Sequence, residues 1–376
     1  MKVIIAGDTA ATESNLKLFQ KDKVTDLVGQ KIYEKLHAAD IVIANLEAPL
    51  YDGKNIIKKY GPHLAASNKS VEGLLGLNIN VANMANNHIM DHGISGLENT
   101  CRVLKAVKIN YLGIGKNIDE MKDILCCEVN DCKIGIYSCT EHEFSCAGRK
   151  YPGANPYDPL ISFDRVLKLS AKCDYVIVLY HGGNECYRLP SPELQRKCRK
   201  FIDSGANFVV TQHSHCIGAK EIYNNGEILY GQGNFIFDRT NNEYTQSGLL
   251  VSINILGREK SKIEYVPFVK KNEKIRAAEN NEKEEIMKMF EENSLRVDDR
   301  DYLDAMYDAF AMQNAKIYLS GIHGNNLLSR VMNKLTVGRY IPLFYKNDAG
   351  LGALNYIRCE SHRELLIRII KKNLIG

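Results

Sequence analysis

Six places in the chain set a carboxylate, amide or imidazole directly after a short apolar run: Gly7-Asp8, Asn45-Leu46-Glu47, Asn86-Asn87-His88, His181-Gly182-Gly183, His213-Ser214-His215 and Gly231-Gln232-Gly233-Asn234. Imidazole nitrogens and carboxylate or amide oxygens are donors suited to Zn, Mn, Fe or Co, with geometry and availability deciding which ion is held. Two acids, an amide and three imidazoles beyond His88 suffice for two adjacent metals sharing a bridging carboxylate. Such a pair, roughly 3.5–4 Å apart, is the clamp of phosphoester hydrolysis, activating a bridging water and stabilising the oxygens of an in-line displacement. Taken singly, each residue has an ordinary reading: Asp8 as a turn or cap, His181 or His213 as a satisfied buried histidine, Asn86-Asn87 as a turn. His213 and His215 would leave a regular strand on opposite faces, so both serve one site only where the chain has left β geometry. It is the conjunction at six strand ends that points to a site.

The elements that must position these groups are legible in the same runs. Val3–Ala6, Ile41–Ala44, Ile79–Met84, Ile134–Ser138, Tyr175–Tyr180, Phe208–Thr211 and Ile228–Tyr230 are short, apolar and bounded by polar or glycine residues, the pattern of strands buried on both faces. Helical patterns separate them, including Ser95–Ala106, begun by a Ser95-Gly-Leu-Glu98 capping box, and Ser191–Ser204, with Pro192 at its first position. Leu249–Ile255 and Lys262–Phe268 read as an antiparallel pair joined at Gly257, able to close one edge of a sheet. The alternation predicts an α/β fold with a mainly parallel sheet, in which ligands bind at the carboxyl ends of the strands.

Composition narrows the class. With 376 residues, 45% hydrophobic and 25% charged, the chain is an ordinary globular one, so collagenous and disordered classes are excluded. A net charge of +4 is too small over this length to mark a nucleic-acid footprint, and no nucleic acid is expected as a partner. Eleven cysteines without a Cys-x-x-Cys leave neither a zinc ribbon nor a redox motif and fit reduced thiols in a cytoplasmic setting. No Gly-x-Gly-x-x-Gly, Walker-type loop or Gly-x-Ser-x-Gly elbow occurs. No stretch approaches the roughly 20 apolar residues of a membrane span, and no membrane contact is expected. Residues 279–308 carry 11 acids and 4 bases, whereas 309–376 carry 10 bases and 3 acids, both with helical spacing. The expected organisation is therefore a domain over 1–275 and a helical appendage over 276–376. Its basic end, Arg363–Lys372, reads as a packing helix rather than a membrane-surface one. Lys59, beside Lys58, and Arg188 are candidates for receiving an anionic substrate, with a solvated loop charge as the alternative.

Taken in order, Gly7-Asp8, Asn45-Leu46-Glu47-Ala48-Pro49, Ala85-Asn86-Asn87-His88-Ile89-Met90-Asp91-His92-Gly93, Gly96-Leu97-Glu98-Asn99-Thr100, Gly113-Ile114-Gly115-Lys116-Asn117, His181-Gly182-Gly183-Asn184-Glu185, Gln212-His213-Ser214-His215 and Gly233-Asn234-Phe235-Ile236-Phe237-Asp238 resemble the motifs of the bacterial capsule-synthesis CapA family. That family is linked to poly-γ-glutamate and capsular polymer production and has the calcineurin-like metallophosphoesterase fold. The resemblance spans about Met1 to Phe268 and implies a layered αββα metallophosphoesterase-like sandwich, with the C-terminal helical appendage outside it. Carried over residue by residue, it implies one or two divalent metal ions (Mn, Zn or Fe): Asp8 and His215 on one, Asn87, His181 and His213 on the other, and Glu47 as the bridging or nearby acid. His88 would be the catalytic imidazole and Asp91 its orienting partner, with Asn45 and Asn234 as supporting hydrogen-bonding groups.

The chain also departs from the wider superfamily. Where the superfamily's first motif reads Asp-x-His, Asp8 is followed by Thr9 and Ala10; Glu47 stands where an Asp is usual, and Gly182 replaces an aromatic after His181. Two readings of function follow. One is a metal-dependent, phosphoesterase-like hydrolase in capsular polysaccharide or poly-γ-glutamate biosynthesis, acting on an anionic small-molecule or polymer substrate. The other is a non-catalytic capsule-assembly or polymer-binding factor that works with capsule-assembly proteins.

Overall fold

In the computed structural model the apolar runs become strands whose alternate side chains enter different cores, as a period of two requires of a strand covered on both faces. The structure describes residues 1–59, 61–129, 131–237, 242–257, 260–323 and 327–358, with positions 362, 366, 367 and 370 beyond them. Asp238 and most of the basic segment 363–372 lie outside the described residues.

The chain begins β1 (Lys2–Thr9), α1 (Val24–Val28), α2 (Gln30–His37), β2 (Ile41–Leu46), α3 (Val71–Gly76), β3 (Val81–Asn83), α4 (Gly93–Ala106) and β4 (Asn110–Leu112). Next come β5 (Ile114–Gly115), β6 (Met121–Lys122), β7 (Ile124–Val129), β8 (Cys132–Thr140), β9 (Gly153–Ala154), α5 (Ser162–Ser170), β10 (Tyr175–His181), α6 (Pro192–Asp203) and β11 (Phe208–Gln212). Then follow β12 (Ile217–Tyr223), β13 (Gly226–Gln232), β14 (Asn234–Ile236), β15 (Ser247–Gly257), β16 (Lys260–Lys271), β17 (Lys274–Ala277) and α7 (Asn280–Ser294). The helices α8 (Arg300–His323), α9 (Leu327–Leu335), α10 (Tyr340–Leu343) and α11 (Asn347–Arg358) complete the described chain.

One large sheet has the order β17-β16-β15-β1-β2-β3-β4, with β14 alongside β1, the second large sheet has the order β12-β13-β11-β10-β8-β7, and β6-β5-β9 form a small third sheet. β1 to β4 run parallel, as do β8, β10, β11 and β13. The pair β15 and β16 is antiparallel as expected, but β15 joins the middle of the first sheet through β1, and β17 forms the edge.

The cores define the layers. Ile4, Ala6, Val42 and Ala44 face Leu27, Ile32, Leu74, Leu97 and Leu104 of α1 to α4. Their neighbours Val3, Ile5, Ile41 and Ile43 meet Ile177, Leu179, Phe208 and Val210 between the sheets. Val176, Val178 and Val209 pack outward on Val166 of α5 and on Leu194 and Phe201 of α6. The result is the layered αββα sandwich.

Two helix starts illustrate the local rules. Ser191 accepts a hydrogen bond from the Leu194 N–H at 3.1 Å, with Pro192 opening α6, as its sequence indicates. α4, in contrast, starts at Gly93, behind His92 and without a side-chain cap. Ser95 therefore lies inside its first turn, and the anticipated capping box does not form.

Composition shifts near residue 276, but the division into compact units falls later, at Met1–Asp304 and Ala305–Gly376. Within the first unit Phe290 of α7 is fully buried in the inter-sheet core, its ring 5.0 Å from that of Tyr265. The second unit is helical. Among the described residues no helix is long and apolar enough to cross a membrane, and none of the ten described cysteines forms a disulfide.

Candidate metal centre

Parallel strands deliver their carboxyl ends to one edge, and here both sheets do so together. Asp8 lies at the end of β1, Glu47 and Asn87 follow β2 and β3, His181 ends β10, and His213 follows β11. Gly7 permits the close approach of β14 to β1 that pairs Asp8 with Asn234. Its φ is +102°, and a Cβ there would stand 2.9 Å from the Gly233 carbonyl oxygen. The backbone departure that the His-x-His spacing demands is also present: β11 stops at Gln212, and His213 and His215 have φ of +101° and +55°.

One ligating atom from each of Glu47, His213 and His215 falls within 4.8 Å of the other two. His215 Nε2 is 3.7 Å from Glu47 Oε1, while its Nδ1 is 2.7 Å from Asn234 Oδ1 and 3.4 Å from Asp8 Oδ2. Phe237 stacks on the same ring at 5.3 Å. His181 Nε2 lies 3.1 Å from Asn87 Oδ1. Asn45 Nδ2 donates to Asp8 Oδ1 at 2.8 Å and sits 3.3 Å from His181 Nδ1. The rings of His181 and His213 are 4.9 Å apart. Asp8, Glu47, Asn87, His181, His213 and His215, with Asn45 and Asn234 behind them, thus form one buried cluster.

The chemistry of this donor set fits a divalent cation. Ligands must be deprotonated to bind metal. Burial, then the charge of His213, holds the His181 imidazole well below the ordinary value of 6.5, and burial, then His215, lowers that of His213. Burial alone would raise the Asp8 carboxyl, but the hydrogen bond and charge of His215, the charge of His181 and the Asn45 amide outweigh it and bring it to about 2. Near neutrality the cluster therefore offers the neutral imidazoles of His181 and His213 beside the ionised Asp8 carboxylate. Nδ1 of His213 is buried without a hydrogen-bond partner among the described residues, a costly state for a polar atom that a cation would relieve.

Beside the cluster, His88 Nδ1 lies 2.7 Å from Asp91 Oδ2. Asp91 also accepts from the Leu64 N–H at 2.7 Å and pairs with Lys59. The Lys59 side chain, a candidate for receiving an anionic substrate, is only 4% exposed where it meets Asp91. Arg188 donates to the Ile217 carbonyl at 3.0 Å and lies over the Tyr244 ring.

Two features were not singled out by the sequence reading. Glu143, after β8, sets one oxygen 3.8 Å from His213 Nε2 and the other 3.4 Å from Asn87 Nδ2. The strand-end rule applied to Ile134–Ser138 leads to Glu141-His142-Glu143 and is the signal that finds it. Beneath the cluster, amides join the sheets: Asn83 reaches Asn45 and Gln212, and Gln212 reaches Gln232. Buried side chains of this kind read as strand-interior polar residues and give no distinctive spacing.

An αββα sandwich whose two sheets pool imidazoles, carboxylates and amides at their carboxyl edges has a metallophosphoesterase-like fold. Residues 2–239 match the family described as Bacterial capsule synthesis protein PGA_cap, and the chain belongs to that family. It is 30% identical over 224 residues to the capsule biosynthesis protein CapA of Bacillus anthracis, covering 57% of this chain and 54% of that protein. To the PGA biosynthesis protein CapA of Bacillus subtilis it is 30% identical over 223 residues, covering 58% and 59% respectively. The alignments thus span little more than half the length of these relatives. Among solved structures, a novel phosphatase of Mycoplasma pneumoniae aligns with a TM-score of 0.45 and 18% identity, covering 72% of this chain and 94% of that one.

Proposed function

We propose that the chain is a metal-dependent hydrolase of the phosphoesterase type, acting in capsular polysaccharide or poly-γ-glutamate biosynthesis on an anionic small molecule or polymer. The observation that carries this reading is His88: it stands next to Asn87 in the chain, with Nδ1 held by Asp91 at 2.7 Å. A metal site that is only structural has no use for an adjacent imidazole oriented by a buried carboxylate.

Asp8, Glu47, Asn87, His181, His213 and His215 would hold one or two ions, with Mn, Zn or Fe suited to the donors. A bound divalent ion supplies Lewis-acid polarisation of a phosphoryl oxygen and acidifies a water. The chain's own residues do the rest. Asp91 fixes the tautomer in which His88 Nδ1 carries the proton, leaving Nε2 to exchange a proton with a leaving or phosphoryl oxygen. Against burial, His88, then Lys59, keep the Asp91 carboxyl below its usual value, and Asn234 and Asn45 orient His215 and His181.

Thr9 and Ala10 after Asp8 favour a second reading, because one imidazole of the superfamily's first motif is missing: a capsule-assembly or polymer-binding factor that keeps the fold without turnover. Hydrolysis of an aryl phosphodiester or monoester, compared between wild type and His88→Asn with added Mn, separates the two. Inertness of both metal-loaded proteins towards phosphoesters and glutamyl amides would leave the assembly factor.

A further inference from the structure

Glu143 is the one carboxylate at the cluster contributed by the loop after β8, and each of its oxygens meets a different proposed ligand. Oε2 accepts from Asn87 Nδ2 at 3.4 Å. With its nitrogen held there, Asn87 turns Oδ1 towards His181 Nε2, 3.1 Å away. Oε1 stands at ion-pair distance, 3.8 Å, from His213 Nε2. The opposite ring nitrogen of His213, Nδ1, is the buried one without a hydrogen-bond partner among the described residues. In both cases the carboxylate takes the atom that cannot also face the ion and leaves the opposite atom for it.

The segment carrying Glu143 is fastened on both sides. Ser145 Oγ donates to the Asn87 carbonyl at 2.7 Å and accepts from the Met90 N–H at 3.2 Å. Glu141 accepts from the Tyr180 hydroxyl at 3.0 Å and from the Gly183 N–H at 3.2 Å. A loop tied both to the strand end that carries Asn87 and to the one that carries His181 holds its carboxylate in register with both.

We propose that Glu143 is the positioning carboxylate of the metal centre, orienting Asn87 and His213 so that Oδ1 of one and Nδ1 of the other face a divalent cation. This rests on the metal reading above. Carboxylates that hold the second nitrogen of a ligating histidine fix its orientation and raise its basicity, and their loss costs about 10- to 100-fold in metal affinity. At 41% exposure, Glu143 can be replaced without opening the core.

Equilibrium dialysis of the full chain against Mn alone, with melting of the metal-free protein measured in parallel, tests the assignment. Glu143→Ala is expected to weaken Mn binding by about 10- to 100-fold while the metal-free melting temperature stays that of wild type. Glu143→Gln keeps one acceptor oxygen and is expected to recover part of the affinity. Wild-type affinity in Glu143→Ala, a Gln variant no better than Ala, or a fall in metal-free melting that matches the loss would each overturn the positioning role. Wild-type protein that takes up no Mn, Zn or Fe would overturn the metal reading itself, an outcome distinct from binding that is indifferent to Glu143.

Discussion

His88 Nδ1 and Asp91 Oδ2 lie 2.7 Å apart, three residues from each other in one turn, and Lys59 Nζ reaches the same nitrogen at 3.1 Å, so the carboxylate and the ammonium together hold the ring. With Nε2 as the working atom of the proposed hydrolase, His88→Asn would remove proton transfer but no metal donor. Turnover of an aryl phosphoester is expected to fall by about 10²-fold or more while metal content stays that of wild type. A His88→Asn variant with unchanged turnover would contradict the catalytic role.

Metal content distinguishes ligands from neighbours. Elemental analysis is expected to give between one and two equivalents of Mn, Zn or Fe, in keeping with a donor set large enough for two ions. His181→Ala and His213→Ala are expected to lower that figure more than His88→Ala does. Equal losses in all three would place His88 among the ligands.

Lys59 and Asp91 are an ion pair with side chains 4% and 0% exposed. Removing one partner of a buried pair costs about 3–5 kcal/mol because the other charge is left uncompensated. Lys59→Met is therefore expected to lower the denaturant midpoint strongly at pH 7. Burial alone would raise the Asp91 carboxyl, but His88, then Lys59 and the Leu64 N–H, bring it below the usual 3.8. A depressed carboxyl stabilises the fold above its unfolded value and loses that contribution as pH falls through its folded value. The gap between wild type and Lys59→Met should accordingly narrow below about pH 4; a gap independent of pH would assign the loss to packing.

How far the sequence could be read is visible in particular residues. Asp8, Asn87, His181 and His213 stand out because each follows an apolar run, and that rule holds in either sheet of the sandwich. The division into two sheets is not legible in the same runs. Val3 and Ile177 enter one core, and Ile4 and Val178 enter two others, yet all four look alike in a strand buried on both faces. Glu143 escapes notice because four residues separate it from the apolar run Ile134–Ser138, against two between Met84 and Asn87. Lys59 looks like a solvated loop charge until the fold brings it to Asp91, 32 residues away. Contacts of that span depend on loop paths that no local pattern encodes.

The boundary between the units is open to test by truncation, because composition and packing suggest different cuts. A chain ending after Lys274 follows the composition shift but removes α7, and with it Phe290 from between the sheets. Truncating a buried Phe to Ala alone costs about 3–5 kcal/mol, and removing the helix also uncovers the apolar surface that Tyr265 and its neighbours present to it. That protein is expected to aggregate. A chain ending after Asp304 keeps Phe290, together with Val297 and Leu303, which are also buried, and is expected to stay monodisperse and to bind metal as the full chain does. Size-exclusion chromatography with elemental analysis of both truncations checks this. A soluble, metal-binding protein ending at Lys274 would show that α7 is dispensable and that the composition shift marks the working boundary.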